Sequence, residues 1–213
     1  MKKLISKFVK EPAPILHEYD FIIIGAGPAG SMSAYLLRLL GHEVHLFEKR
    51  DQLRRRICGE YLAPKGVAVL DKHKLKAITL CSFLPIEGMV LVDEKVGDEI
   101  IASFPKLDKN SYGVALNRLV FDQHLTHLAI DGGVQVHFGH QLLSLKKINE
   151  KWQLHFANNR TLDFDFLVVA DGRNSHVAKI LGHSPHTDTN RVALHCYLPR
   201  LTKHGRRYGE MHI

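Results

Sequence analysis

Tyr19-Asp20-Phe21-Ile22-Ile23-Ile24-Gly25-Ala26-Gly27-Pro28-Ala29-Gly30 is the stretch on which the fold turns. Its first half is a short apolar run rich in β-branched residues, as expected of a parallel strand covered on both faces. Its second half is a Gly-x-Gly-x-x-Gly turn. Beyond it Ala29, Met32, Leu36 and Leu40 recur at helical spacing, with Ser33 and Leu37 alongside, so this set is the expected buried face of a helix. Gly41 stands where a helix ends in a left-handed residue. Val44-His45-Leu46-Phe47-Glu48 then reads as a second strand, completing a βαβ unit.

Each part of that unit has a chemical reason. Gly25 permits the tight turn, Gly27 lets the backbone approach a diphosphate, and Gly30 lets helix and strand pack closely. Ala26, Pro28 and Ala29 complete the loop, and the helix start offers N–H groups and a positive dipole end to phosphate. Glu48, roughly 20 residues beyond Gly30, can accept hydrogen bonds from ribose hydroxyls. An acidic residue there repels a 2′-phosphate, which disfavours NADP in this site. The competing reading is a helix-packing glycine cluster without a ligand. From these residues alone the site suits NAD or FAD.

Further along, Lys49 to Leu62 reads as a basic loop containing Gly59. Gly88–Val92 and Glu99–Phe104 read as two strands joined by a turn near Val96-Gly97-Asp98. Leu116 to Ile130 has helical spacing, with Leu119, Val120, Gln123, His124, His127 and Leu128 near one face, and stops at Gly132-Gly133. Val134–Phe138, Gln141–Ile148, Trp152–Ala157 and Arg160–Phe164 look like successive strands of a β-meander. Phe166–Ala170 reads as another buried strand running into Asp171-Gly172. Arg191–Leu198 and Tyr208–Ile213 are further strand candidates. A plain NAD dehydrogenase would instead continue with more βα units.

The 213 residues allow one large domain, or one and part of another. Hydrophobic residues make up 45% and charged residues 24%, a globular balance that excludes a disordered chain. No apolar run approaches the ~18 residues a membrane span needs. Lys and Arg number 29 against 22 Asp and Glu, a net charge of +7 that attracts anions in general. The basic residues are dispersed and no nucleic-acid-binding signature accompanies them, so nucleic acid is not an expected partner. The 3 cysteines, Cys58, Cys81 and Cys196, lack CxxC spacing and point to a reducing, cytoplasmic compartment. Segment 1–17 reads as a flexible or amphipathic extension rather than a secretory signal, and a peripheral membrane contact through it is one expectation. His124 and His127 share a helix face but lack a recognisable third ligand, so no metal is expected.

Taken as an ordered set, Gly25–Gly30, Glu48, Arg56-Ile57-Cys58-Gly59-Glu60, Asn117-Arg118 to Asp122, and Asp165 to Ser175 resemble the FAD-dependent oxidoreductases of the para-hydroxybenzoate hydroxylase fold. Within that group the chain is similar to the geranylgeranyl reductase branch, over about residues 19–182. The resemblance implies an α/β fold: a Rossmann-like FAD-binding domain over 18–84 and 112–182, with a β-meander crossover, and a partial β-sheet substrate domain over 85–111 and 183–213. It implies FAD as cofactor, NAD(P)H as reductant, and a small-molecule or lipid-like substrate. It places Asp171-Gly172 beside the flavin diphosphate and Arg118 against the FAD phosphates. Arg118 on a solvated helix face, and Asp171-Gly172 as an ordinary turn, are the plainer readings. Arg56, Cys58 and Gly59 belong to the stretch Arg56–Glu60, whose counterpart approaches the flavin ring in the reductase branch, and Lys49, at the start of the same basic loop, is a further expected cofactor contact. Cys58 is there a reactive thiol, or else a small buried hydrophobe, and Glu60 alternatively caps the following helix.

Two departures stand out. The family carries an arginine where Ala178 stands, with Lys179 adjacent. The family's third motif, a Gly-Asp segment opening a C-terminal helix, does not occur here. A truncated gene product or pseudoenzyme is then expected, with exposed apolar surface where the absent segment packs and a second chain as a candidate supplier of it. Three functions follow in order: an FAD-dependent oxidoreductase that reduces an isoprenoid-like substrate or hydroxylates an organic one, a catalytically incomplete nucleotide-binding fragment, and a basic interaction module. No residue identifies a catalytic acid or base.

Overall fold

The computed structural model describes residues 20–75, 84–105, 112–148, 151–183, 194–197 and 207–213. The expected extension 1–17 and Cys81 lie outside these residues. The chain divides into two compact units, Met1–Arg55 with Asp122–Asn190, and Arg56–Phe121 with Arg191–Ile213. The division falls after Arg55 rather than after residue 84. Much of the basic loop and the helix after it therefore group with the second unit.

The first unit is built on a four-stranded sheet in the order β12-β1-β2-β8, with β1 at Asp20–Ile24, β2 at Glu43–Phe47, β8 at Gln135–His137 and β12 at Phe166–Val169. Every pairing in it is parallel, with Ile23 opposite Leu46 on one side and Val168 on the other. Strand β8 was expected in the meander; its register with β2, Leu46 beside Val136, puts it in the parallel sheet instead. The meander has three antiparallel strands: β9 (Leu142–Ile148), β10 (Lys151–Phe156) and β11 (Thr161–Asp163). Their apolar side chains Leu142, Leu154 and Phe156 join Ile22, Ile24 and Phe47 in one core. Strand alternation sends Ile23 to the opposite face, where α1 (Pro28–Leu39) packs on β1 and β2.

Helix α1 buries Gly30, Ser31, Ala34, Tyr35 and Arg38, not the expected Ala29, Met32, Leu36 and Leu40. Leu40 is 65% exposed. The buried face combines small residues, Gly30, Ser31 and Ala34, with the large Tyr35 and Arg38. Ser31 Oγ lies 3.0 Å from Thr126 Oγ1 on α3 (Arg118–Asp131), and Tyr35 packs against Gly132. Arg38 is buried in the last turn, where a cation complements the helix dipole. On α3, of the residues expected near one face, His124 and Leu128 are buried and Gln123 and His127 are exposed; Phe121, Leu125, Thr126 and Ala129 are also buried. Strand β12 is an edge strand with Phe166 48% and Val169 41% exposed, so it is not the buried strand its apolar run suggests.

The second unit holds two three-stranded sheets. One has the order β13-β5-β6, from Tyr208–His212, Gly88–Val92 and Glu99–Ser103, and its β5–β6 hairpin turns at Gly97 with φ +77°. Ile100 and Ile101 on β6 are exposed. The other has the order β3-β7-β4, from Tyr61–Leu62, Gly113–Ala115 and Leu84–Ile86. Tyr61 and Leu62 thus form a strand where a loop was expected. Helix α2 (Pro64–Lys72) packs on β7. The strand expected over Arg191–Leu198 is not formed at Leu194–Tyr197, and its remaining residues lie outside those described.

Candidate nucleotide-binding site

In the first unit, the loop after β1 and the loop after β12 meet at the C-terminal end of the parallel sheet. Gly25 has φ +104°, and a side chain on it would run into the Ala170 carbonyl and the Asp171 Cα. A side chain on Gly30 would run into the Gly25 carbonyl oxygen. Both glycines are therefore required by packing. Gly27 differs: a Cβ there meets nothing within 4 Å, and its φ of −75° suits any residue. No protein atom needs Gly27 to be glycine, so the space above it is a cradle that a Cβ would fill. Gly27 is the N-cap of α1 without a side-chain cap, Pro28 starts the helix, and the first turn holds no acidic residue. Those N–H groups are the kind that bind an anion.

Glu48 follows β2 and is 2% exposed. Its Oε2 accepts the Ala26 N–H at 3.1 Å and its Oε1 accepts the Arg50 N–H at 3.2 Å. The carboxylate thus reaches back to the glycine loop from the neighbouring strand. Gly25 donates to the Phe47 carbonyl at 2.7 Å, closing the same turn from the backbone side. Ala26 is buried, Pro28 half-buried, and Ala29 and Lys49 exposed.

Asp171 and Gly172 come from the loop after β12. Asp171 Oδ2 accepts the N–H groups of His176 at 2.7 Å and Val177 at 3.2 Å, capping α4 (His176–Ile180). Its Oδ1 is buried with no hydrogen-bond partner among the described residues. Gly172 has φ +90° and open space at its Cβ position. An orphaned carboxylate oxygen and two uncrowded glycines fit a polar ligand with hydroxyl and phosphate groups. Ala178 donates to the Ser175 cap, and Lys179 is exposed.

The remaining predicted site residues lie in the second unit. Arg118 opens α3, and its Nη1 donates to Cys58 Sγ at 3.1 Å. Glu60 has φ +49°, and its Oε1 accepts the Arg118 N–H at 3.3 Å. Glu60 therefore caps the start of α3, the helix expected over Leu116 to Ile130. Asn117 Oδ1 accepts the Leu119 and Val120 N–H groups as the ordinary N-cap. Arg56 and Cys58 are half-buried, and Gly59 is exposed with open space around it. Tyr61 packs over Gly113, and burial raises its phenol pKa.

A profile of the family described as the FAD binding domain matches residues 18–197. The chain belongs to the FAD binding domain family. Among curated members, it is 29% identical over 195 residues to menaquinone reductase of Mycobacterium tuberculosis, covering 87% of this chain and 47% of that protein. It is 27% identical over 169 residues to digeranylgeranylglycerophospholipid reductase of Methanococcus aeolicus, covering 78% of this chain and 41% of that protein. The chain spans about half the length of the curated relatives it matches. Among solved structures, CmlS, a flavin-dependent halogenase, superposes with a TM-score of 0.71 at 24% identity, covering 78% of this chain and 32% of that one. That likeness is one of fold. The glycine loop, Glu48 and Asp171-Gly172 all lie within the matched residues. Sequence reading missed the links that fix them. The Ala26–Glu48 bond and the Ala170 contact with Gly25 join segments far apart in the chain and leave no local signature. Among the described residues no helix is long and apolar enough to cross a membrane.

Proposed function

We propose that this chain holds FAD and belongs to an oxidoreductase acting on a lipid-like unsaturated substrate. The open space over Gly27, beside an uncapped helix start, carries the reading. Gly25–Gly30 and the start of α1 would hold the diphosphate, and Glu48 the ribose hydroxyls. The orphaned Oδ1 of Asp171, beside Gly172, would accept from a ligand hydroxyl. When bound, FAD supplies two-electron redox chemistry, with NAD(P)H the implied reductant. The protein's own part is positioning: Gly25 and Gly30 set the loop, Glu48 ties it to β2, and α1 aims its N–H groups at the phosphates. The names of two similar proteins, a quinone reductase and a reductase of an isoprenoid phospholipid, support an isoprenoid-like substrate over an organic hydroxylation substrate. Arg118, Arg56, Cys58 and Gly59 remain proposed cofactor contacts of the second unit. The Arg118–Cys58 bond favours a thiol at the reacting end.

The test is spectroscopic. The purified chain mixed with FAD should quench flavin fluorescence and show bound oxidised-flavin absorption. Anaerobic NADH or NADPH should bleach it, and an isoprenoid quinone should restore the colour. A chain that binds FAD without bleaching is a holding module rather than a reductase. A chain that leaves FAD unquenched overturns the reading.

A further inference from the structure

The β2–β8 edge of the parallel sheet carries a line of polar side chains that nothing above uses. Arg160, in the turn between β10 and β11, has its Nη1 3.5 Å from His137 Nδ1. A guanidinium only donates, so His137 Nδ1 is an acceptor and its ring proton sits on Nε2. His137 Nε2 lies 3.2 Å from His45 Nδ1 and donates to it. His45 then carries its own proton on Nε2, which lies 3.5 Å from Glu43 Oε1. Gln135 Nε2 donates to that same oxygen at 3.0 Å. The chain Arg160 → His137 → His45 → Glu43 runs in one direction and is complete only while both imidazoles are neutral.

This line is joined to Glu48 through the backbone. The Glu48 N–H donates to the His137 carbonyl at 2.9 Å, and the His140 N–H donates to the Glu48 carbonyl at 2.9 Å. The His137 ring stacks on Phe47 with centroids 4.5 Å apart, and the Arg160 guanidinium stands 5.6 Å over the same Phe47 ring. One imidazole thus touches the residue before Glu48, the meander turn and the neighbouring strand.

We propose that His137 is a positioning residue and a proton-sensitive latch for Glu48: neutral, it ties the β10–β11 turn to the sheet edge and keeps Glu48 in register with the glycine loop, and protonated, it releases both. This rests on the reading of Glu48 as the ribose-holding end of the nucleotide site. The charged and titratable groups facing the ring are His45 and, beyond it, Glu43 on β2, His140 after β8, and Arg160 from the meander. Glu43 bonds to His45, not His137, so a proton on His137 meets Arg160 and loses that bond. Burial first, then Arg160, His45 and His140, lower the His137 pKa from 6.5 to about 4. The folded pKa lies below the unfolded one. The latch's contribution is therefore complete above pH 6.5 and is lost as pH falls from 6.5 towards 4.

The probe is ADP, with its affinity measured by calorimetry on the whole chain at pH 7.5 and 4.5. Emission of Trp152, the chain's 1 tryptophan, reports the meander at β10. ADP takes up its own protons over this range, equally for every variant, so the ratio of dissociation constants is the readout. The wild-type to His137→Gln ratio should rise about tenfold more at pH 4.5 than at pH 7.5, and the Trp152 transition should flatten in the variant. Arg160→Met, in an accessible turn, removes a cation and should move the wild-type midpoint to higher pH. A pH-independent ratio, or an unmoved Arg160→Met midpoint, overturns the latch. If His137→Gln does not fold, as far-UV circular dichroism would show, the Arg160→Met midpoint decides alone. If ADP binds at no pH, the nucleotide reading fails, and the Trp152 titration still judges the latch.

Discussion

At the scale of single residues, three glycines in one motif have three different dependencies. Gly25 and Gly30 are held by atoms of the protein itself, from Ala170 and from Gly25. Gly27 is held by none. Gly30→Ala should therefore cost about 3 kcal/mol or more through overpacking against backbone, read as a fall in the urea midpoint. Gly27→Val should leave the urea midpoint nearly unchanged while weakening ADP and FAD at least about tenfold, because it closes the cradle at the helix start. A loss of both stability and affinity at Gly27 would contradict the open space seen there. Asp20 offers a second residue-level test. Burial first, then Glu43 and Asp165, raise its pKa, while His45 lowers it. Its folded pKa exceeds the unfolded one, so its charged form destabilises the fold at neutral pH. Asp20→Asn should raise Tm at pH 7, and the gain should vanish below about pH 3.8, the ordinary value for the group.

At the scale of elements, the sequence names strands and helices better than it names their faces. The βαβ unit around Gly25–Gly30 is legible because strand run, glycine turn and second strand are contiguous. The buried face of α1 is not. Its large apolar residues suggest one stripe, yet the Ser31–Thr126 contact and the close approach of Gly30 to Gly25 favour the stripe of Gly30, Ser31, Ala34, Tyr35 and Arg38. Helix α3 shows the same gap at its start. Asn117 caps it locally, as sequence would suggest, while Glu60 caps it from far away. Asn117→Ala should cost about 1 kcal/mol of stability by urea unfolding, the usual value for a lost N-cap. In the core between meander and sheet, Leu154 and Phe156 are fully buried. Phe156→Ala should destabilise by about 3–5 kcal/mol, measured by the same unfolding curve.

At the scale of the molecule, the chain carries two compact units, each with its own sheets. The division expected after residue 84 came from the resemblance. The observed division after Arg55 follows the pairing of Tyr61-Leu62 with Val114-Ala115, a contact invisible to composition. Among the described residues, apolar side chains are exposed in both units. Phe166 and Val169 lie on the open edge strand of the first, and Ile100 and Ile101 on β6 of the second.

What the sequence determined by itself is the set of local, contiguous patterns: the apolar run, the glycine spacing, the acidic residue after the second strand, and the Asp-Gly turn. Those suffice for the fold class, because backbone sterics and hydrogen-bond supply act over a few residues. Only the tertiary structure decided which groups face one another. Strand β8 joined the parallel sheet, Glu48 reached Ala26, Arg118 reached Cys58, and His137 came between His45 and Arg160. Each of those meetings depends on register between segments distant in sequence, and register is set by packing of the whole unit rather than by any residue's neighbours along the chain.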